Sequence, residues 1–144
     1  MGTPFRYAFD VRFGDVDVAG IVYYPRFFHY CHVAFEELFG GSAAYAKVIG
    51  DRGIGFPAVH AEIDFKGTLR YGDGVEIFVS SERLGRTSVG LRYELHRAND
   101  PRVAALARIT TAVVSMETFR PTPLPDDLRA FFARIAHEPT PGNP

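Results

Sequence analysis

The sequence has no tryptophan, and its 144 residues include a single cysteine, Cys31. One cysteine excludes an intramolecular disulfide, and such usage fits a reducing compartment, so a cytoplasmic protein is expected. No apolar run is long enough to span a bilayer, and the N-terminus lacks a signal-like pattern, so no membrane partner is expected. An excess of one charge is missing too. The formal net charge of −1 is not the basic surplus of a general nucleic-acid binder, and no nucleic-acid partner is expected. There is no internal repeat, no linker and no sign of a second domain.

What is present is a core-forming chain the size of one domain, 47% hydrophobic and 23% charged. Its aromatic mass comes from 13 Phe and 7 Tyr, which an aromatic-rich core or an apolar pocket must absorb. The spacing predicts one domain over residues 1–136. The polar, proline-rich residues 137–144 read as a flexible tail.

Residues 5–13 (FRYAFDVRF) alternate apolar and polar, which predicts a half-buried strand ending at Gly14. A loop, GDVDVAG, follows. Pro25 suits the first turn of a helix, where its missing N–H costs nothing. Tyr24, Phe27, Phe28, Cys31, Phe35, Leu38 and Phe39 then recur at helical spacing, a very apolar stripe over roughly four turns. Gly40-Gly41 stops the helix, and residues 42–51 predict a shorter one with Ser42 as its cap. From about Ala58 to Met116 the chain reads as a meander of four strands, with turns at Tyr71–Gly74, Leu84–Arg86 and Ala98–Pro101. Residues 103–116 look apolar or small on both faces, as in a strand covered on both sides. Asp126 or Asp127 starts a short amphipathic helix. A long apolar helix needs a sheet to bury its stripe, so the expected fold is α+β, an antiparallel five-stranded sheet wrapped around a long central helix. Such a sheet leaves an edge strand open to pairing, so a dimer with a continuous sheet is expected.

The stretch F-G-D-x-D-x-A-G-I-V-Y-Y-P, Phe13 to Pro25, resembles the signature of the hot-dog fold acyl-CoA thioesterases. The likeness is to the 4-hydroxybenzoyl-CoA thioesterase family with its YbgC-like branch. It runs from about residue 5 to 119 and takes in Gly55–Val59, Tyr71–Asp73 and Gly85–Ser88. The resemblance implies a hot-dog homodimer, often paired into a homotetramer, with active sites at the subunit interface. It implies Asp17 as the catalytic carboxylate and the backbone N–H of Tyr24 as the group facing the thioester carbonyl. It further implies that Gly20, Ile21, Val22, Tyr23, Phe28, His32, Phe56, Val59 and His60 contact the substrate. Arg86, Ser88 and Arg108 match positions that hold coenzyme A, although Thr87 stands where a lysine is expected. His32 stands where the 4-hydroxybenzoyl-specific subgroup carries an acid that reads the phenol, a departure that argues against a para-hydroxy substrate.

Chemistry supports these assignments. Thioester hydrolysis develops negative charge on the carbonyl oxygen, and a helix N-terminus offers unpaired N–H groups and a positive dipole end. A carboxylate then attacks the carbonyl or activates water, and the sequence leaves both roles open. Asp17 lies eight residues before Pro25, with Ala19 and Gly20 keeping the loop between them slim. Asp15 reads as a turn residue or a supporting residue beside the site, and Glu36 and Glu37 as a solvated helix face. His29 and His32 have no further ligand at metal spacing, so no metal site is expected, and no cofactor beyond the coenzyme A of the substrate. The expected activity is hydrolysis of an acyl-CoA, aromatic of benzoyl type or short to medium chain, with acyl carrier protein as an alternative handle. A non-catalytic acyl-CoA-binding module and a hot-dog dehydratase are the alternatives.

Overall fold

A computed structural model describes residues 2–139. β1 (Phe5–Asp10) alternates between half-buried and exposed positions, and pairs antiparallel with β4 (Gly74–Leu84) from Phe5 opposite Val79 to Asp10 opposite Gly74. β4, β5 (Ser88–Arg97) and β6 (Val103–Ala112) follow as an antiparallel run. Their inner faces bury Val75, Ile77, Val79, Val89, Leu91, Tyr93, Leu95, Ala105 and Ala107. The long period-2 pattern of β4 and β5 explains why these strands are the sheet's centre.

α1 (Arg26–Leu38) lies on that inner face against β1, β4 and β6. It buries Phe27, Tyr30, Cys31, Ala34 and Phe35. The stripe is thus rotated from the sequence expectation. Tyr24 precedes the helix and stays exposed, while Tyr30 is buried because its ring packs on Phe9 at 4.5 Å and its hydroxyl finds a carboxylate. Gly40 and Gly41 have φ of +106° and +113°, a region closed to most side chains, so the double glycine ends α1 and admits α2 (Ser42–Arg52). Gly41 is the residue that caps α2, and Ser42, expected as the cap, is its first helical residue.

The strand order is β1-β4-β5-β6-β3, with β3 spanning Ala58–Phe65. The four later strands are therefore not a simple meander. β3 passes β4 and β5 and pairs with β6 at the far edge, because β1 already occupies β4's free side. Residues 66–73 make the crossing, held by the buried Leu69, whose carbonyl accepts the Val22 N–H at 2.8 Å. The strand expected over 103–116 also ends early. At Val113 the chain leaves the ladder, donating its N–H to Thr87 O at 2.8 Å, and β7 (Val114–Ser115) pairs with β2 (Ile54–Gly55) as a separate ribbon.

α3 (Asp126–Ala133) closes the core with Leu128 and Phe132, the latter packed edge-on to Phe39 and Phe56. Its two first-turn aspartates favour the positive helix end, and Asp127 also pairs with Arg52 of α2. Of the expected tail, His137 donates its N–H to Ser81 O at 2.7 Å. Residues 140–144 lie outside the described residues.

Candidate functional site

The aspartate loop is built from local hydrogen bonds. Phe13–Asp15 forms one turn of 3-10 helix, and the Asp15 carboxylate accepts the Arg12 N–H at 3.1 Å. Asp17 donates its N–H to Ile21 O at 3.0 Å, and its carbonyl accepts the Gly20 N–H at 3.0 Å. Gly20 supplies the φ of +80° this turn requires. Asp17 Oδ1 accepts the Ala19 N–H at 2.8 Å, an Asx turn. Among the described residues, its Oδ2 takes no hydrogen bond, so half of the carboxylate remains available.

The start of α1 lies next in the chain. The Tyr23 N–H donates to Asp15 O at 2.8 Å and the Arg26 N–H to Tyr23 O at 2.8 Å. Pro25, at φ −66°, is the N-cap and has no N–H. Among the described residues, the Tyr24 N–H between them has no acceptor. It is an unpaired donor at the positive end of a 13-residue helix. The Tyr24 ring is 64% exposed and meets Phe65 of β3 edge-on at 6.4 Å.

An apolar cavity of about 330 Å³ opens between α1 and the sheet. Phe28, His32 and Phe35 line it from the helix, Tyr93, Ile109 and Thr111 from the sheet, and Phe56, Ala58 and Ala61 from β3 and the approach to it. The alanines leave the space that the aromatic rings surround. His32 Nε2 lies 3.9 Å from Glu36 Oε1, one helical turn on, and the imidazole lies over the Phe35 ring. Glu36, read from sequence as purely solvated, is thus the partner of a cavity residue. Burial holds the Tyr93 hydroxyl protonated, well above its ordinary pKa.

Of the expected substrate residues, Phe28, His32 and Phe56 come together in this cavity. Ile21 and Val22 line a smaller cleft of about 160 Å³ with Tyr24, Phe27 and Phe65. Gly20 is at the exposed loop tip, and Tyr23 is exposed beside Tyr24. Val59 is 64% exposed on β3, and His60 beside it lies 3.7 Å from Glu62, both outside the cavity lining. Asp17 is also outside that lining. Phe35, Ala58, Ala61, Tyr93, Ile109 and Thr111 were not foreseen as lining residues. Their one signal was alternation along each strand, which says which residues share a face but not what the face meets.

The residues expected at coenzyme A are spread out. Arg86 is exposed in the β4–β5 turn and Ser88 opens β5. Arg108 sits mid-strand on β6, opposite Arg92 and four rungs from the Ser88–Ala112 pair, about 13 Å away at roughly 3.3 Å per residue. Its Nε donates to Glu82 Oε1 at 2.9 Å. Arg129 of α3, unforeseen, donates to Leu84 O at 3.2 Å and Gly85 O at 2.8 Å and so pins the turn that carries Arg86.

Comparison with known proteins agrees with this layout. A family model described as the thioesterase-like superfamily matches residues 11–132. The chain is 33% identical over 121 residues to a 1,4-dihydroxy-2-naphthoyl-CoA hydrolase of Synechococcus elongatus, covering 83% of this chain and 88% of that one. Its structure is similar to that of a gentisyl-coenzyme A thioesterase, with a TM-score of 0.75, 30% identity and coverage of 90% of this chain and 99% of the other. A 1,4-dihydroxy-2-naphthoyl-CoA thioesterase from Synechocystis shares the fold at a TM-score of 0.80, with 24% identity and coverage of 94% and 99%. With a family match over most of its length and a sheet wrapped around its long helix, this chain belongs to the thioesterase-like superfamily and has the hot-dog fold of its acyl-CoA hydrolases.

Proposed function

We propose that this protein hydrolyses an aromatic acyl-CoA to the free acid and coenzyme A, with Asp17 as the reacting carboxylate and the Tyr24 N–H as the oxyanion donor. The observation that carries the reading is the Tyr24 N–H, which among the described residues has no acceptor at the start of α1, one short loop from a carboxylate whose second oxygen takes no hydrogen bond from those residues. As the C–O bond forms, by attack of Asp17 or of a water it deprotonates, negative charge collects on the thioester oxygen. A fixed N–H at that point is worth about 3–4 kcal/mol of barrier. The C–S bond then breaks and the thiolate of coenzyme A leaves and takes up a proton. Where water attacked, the acid is formed directly; where Asp17 attacked, water opens the resulting anhydride, releasing the acid and restoring the Asp17 carboxylate. These groups suffice without a metal or redox cofactor.

The acyl group we assign is aromatic and hydroxylated. Relatives that share 30% identity or more act on dihydroxynaphthoyl and gentisyl thioesters by name. The cavity of this chain has aromatic walls and one hydrogen-bonding side chain at its helix side, His32. On the sheet side Thr111 already donates to Val89 O at 3.4 Å, and Tyr93 brings a buried hydroxyl.

A homodimer belongs to the same proposal. β3 is an edge strand, exposed along nearly its whole length, with Val59 and Phe65 64% and 47% exposed. Pairing with a second β3 covers it. That assembly offers the Asp17 loop of one protomer a route to the cavity of the other. The exposed Phe13 and Tyr71 rings, edge to face at 5.8 Å, add apolar surface for pairing of dimers into a tetramer. The lone cysteine supports a cytoplasmic site of action.

The test is thiol release from benzoyl-, hydroxybenzoyl-, dihydroxybenzoyl-, hydroxynaphthoyl-, phenylacetyl- and butyryl-CoA. Turnover led by the hydroxylated aromatics supports the reading. Acyl-CoA binding with no turnover on any member leaves a binding module instead.

A further inference from the structure

We propose that Asp15 and Tyr30 form a positioning pair that holds the Asp17 carboxylate in register with the Tyr24 N–H. This rests on the thioesterase reading and adds two residues to it. Asp15 contacts both halves of the site. Its carboxylate oxygen Oδ2 accepts the Tyr30 hydroxyl at 2.9 Å and the Arg12 N–H at 3.1 Å. Its own carbonyl accepts the Tyr23 N–H at 2.8 Å, one residue before the oxyanion donor, while its chain continues two residues on to Asp17.

Tyr30 makes a firm anchor. It sits in the second turn of α1, its ring buried against Phe9 at 4.5 Å and Phe27 at 6.2 Å. The hydroxyl therefore has little freedom to point elsewhere. Burial first, then the Asp15 carboxylate, raise its pKa well above the ordinary phenol value, so it remains a donor wherever the enzyme works. The tie runs from the loop to the helix, not merely along the loop. Without it, the loop's registration on the helix depends on the Tyr23 bond and on Val22 to Leu69. A displacement of about 1 Å between reacting groups is enough to reduce a rate by about 100-fold.

The role is one of positioning, so the discriminating readout is kcat against KM, with rescue by the conservative variant. Both bonds fall on one oxygen, and Asn presents one carbonyl oxygen in the same place. Asp15→Ala is expected to lower kcat by about 10- to 100-fold with KM within about 2-fold of the parent, whereas Asp15→Asn recovers kcat to within about 3-fold. Tyr30→Phe keeps the buried ring and loses only the hydroxyl, so it folds, and it is expected to lower kcat by about 3- to 10-fold. The Asp15→Ala/Tyr30→Phe double variant is expected to be no slower than Asp15→Ala alone, because the two residues act through one bond.

Unchanged kcat in Asp15→Ala overturns the proposal. So does a kcat loss in Asp15→Asn as large as in Asp15→Ala, or a double variant whose losses multiply. A loss that only tracks the folded fraction, read by circular dichroism at the assay temperature, also overturns it. Failure of the underlying reading looks different: the parent protein itself releases no thiol, or Asp17→Asn keeps full turnover.

Discussion

His32 Nε2 stands 3.9 Å from Glu36 Oε1, one turn apart on α1, at the helix-side wall of a largely apolar cavity. His32 is the hydrogen-bonding side chain of the helix wall that a ring hydroxyl on the acyl group would meet. His32→Phe is expected to lower the kcat/KM ratio of hydroxylated to unsubstituted aromatic acyl-CoA by about 10-fold, the worth of one hydrogen bond in an apolar site. Competition between hydroxybenzoyl- and benzoyl-CoA measures that ratio, and an unchanged value refutes the role.

Asp17→Asn separates chemistry from architecture. The Asx turn from Ala19 N–H needs only an oxygen at Oδ1, which Asn supplies. The melting temperature is expected to stay within a few degrees, while kcat falls by about 100-fold or more as for loss of a base or nucleophile. Retained turnover excludes the carboxylate from the reaction.

Arg86 is exposed on a turn that Arg129 holds in place, whereas Arg108 is already engaged by Glu82. Arg86→Ala is expected to raise KM by about 3- to 10-fold with kcat unchanged, and Arg108→Ala to do less. The same series at rising salt should lose the Arg86 effect, since the contact is solvated.

The buried Cys31 thiol is pushed up to about 12 from 9.0 by burial. The fold therefore keeps its proton between those values, where an unfolded chain gives it up. The folded state binds more protons there, so stability is expected to fall as pH rises from about 9 toward 12. Denaturant titrations of the parent and Cys31→Ala across that range check the sign: the parent should lose stability relative to the variant. The same burial predicts no labelling of the native protein by a thiol-reactive dye, so thiol release reports coenzyme A alone.

Much of this was legible before the fold. The Phe13–Pro25 segment closes its turn and starts its helix through bonds between residues close in sequence, Asp17 with Ala19 and Ile21, Asp15 with Tyr23. The alternation in Val75–Val79 and Val89–Leu95 announced half-buried central strands. Helix phase was less legible: seven apolar residues pointed to a stripe through Tyr24, and only the packed Phe9 ring and the Asp15 carboxylate explain why Tyr30 turns inward instead.

What the sequence determined by itself was therefore local: which segments are strands or helices, that a loop carboxylate precedes a helix start by eight residues, and which family signature they make. The tertiary structure decided the rest. It put β3 at the far edge beside β6, since β1 had taken the neighbouring place, and so left a strand open to a partner. It gathered Phe28, His32, Phe56, Tyr93, Ile109 and Thr111, spread over more than half the chain, around one cavity. Such gathering depends on strand order and on the rotation of α1 over the sheet. Those are set by summed packing across the core, which no short stretch of residues encodes.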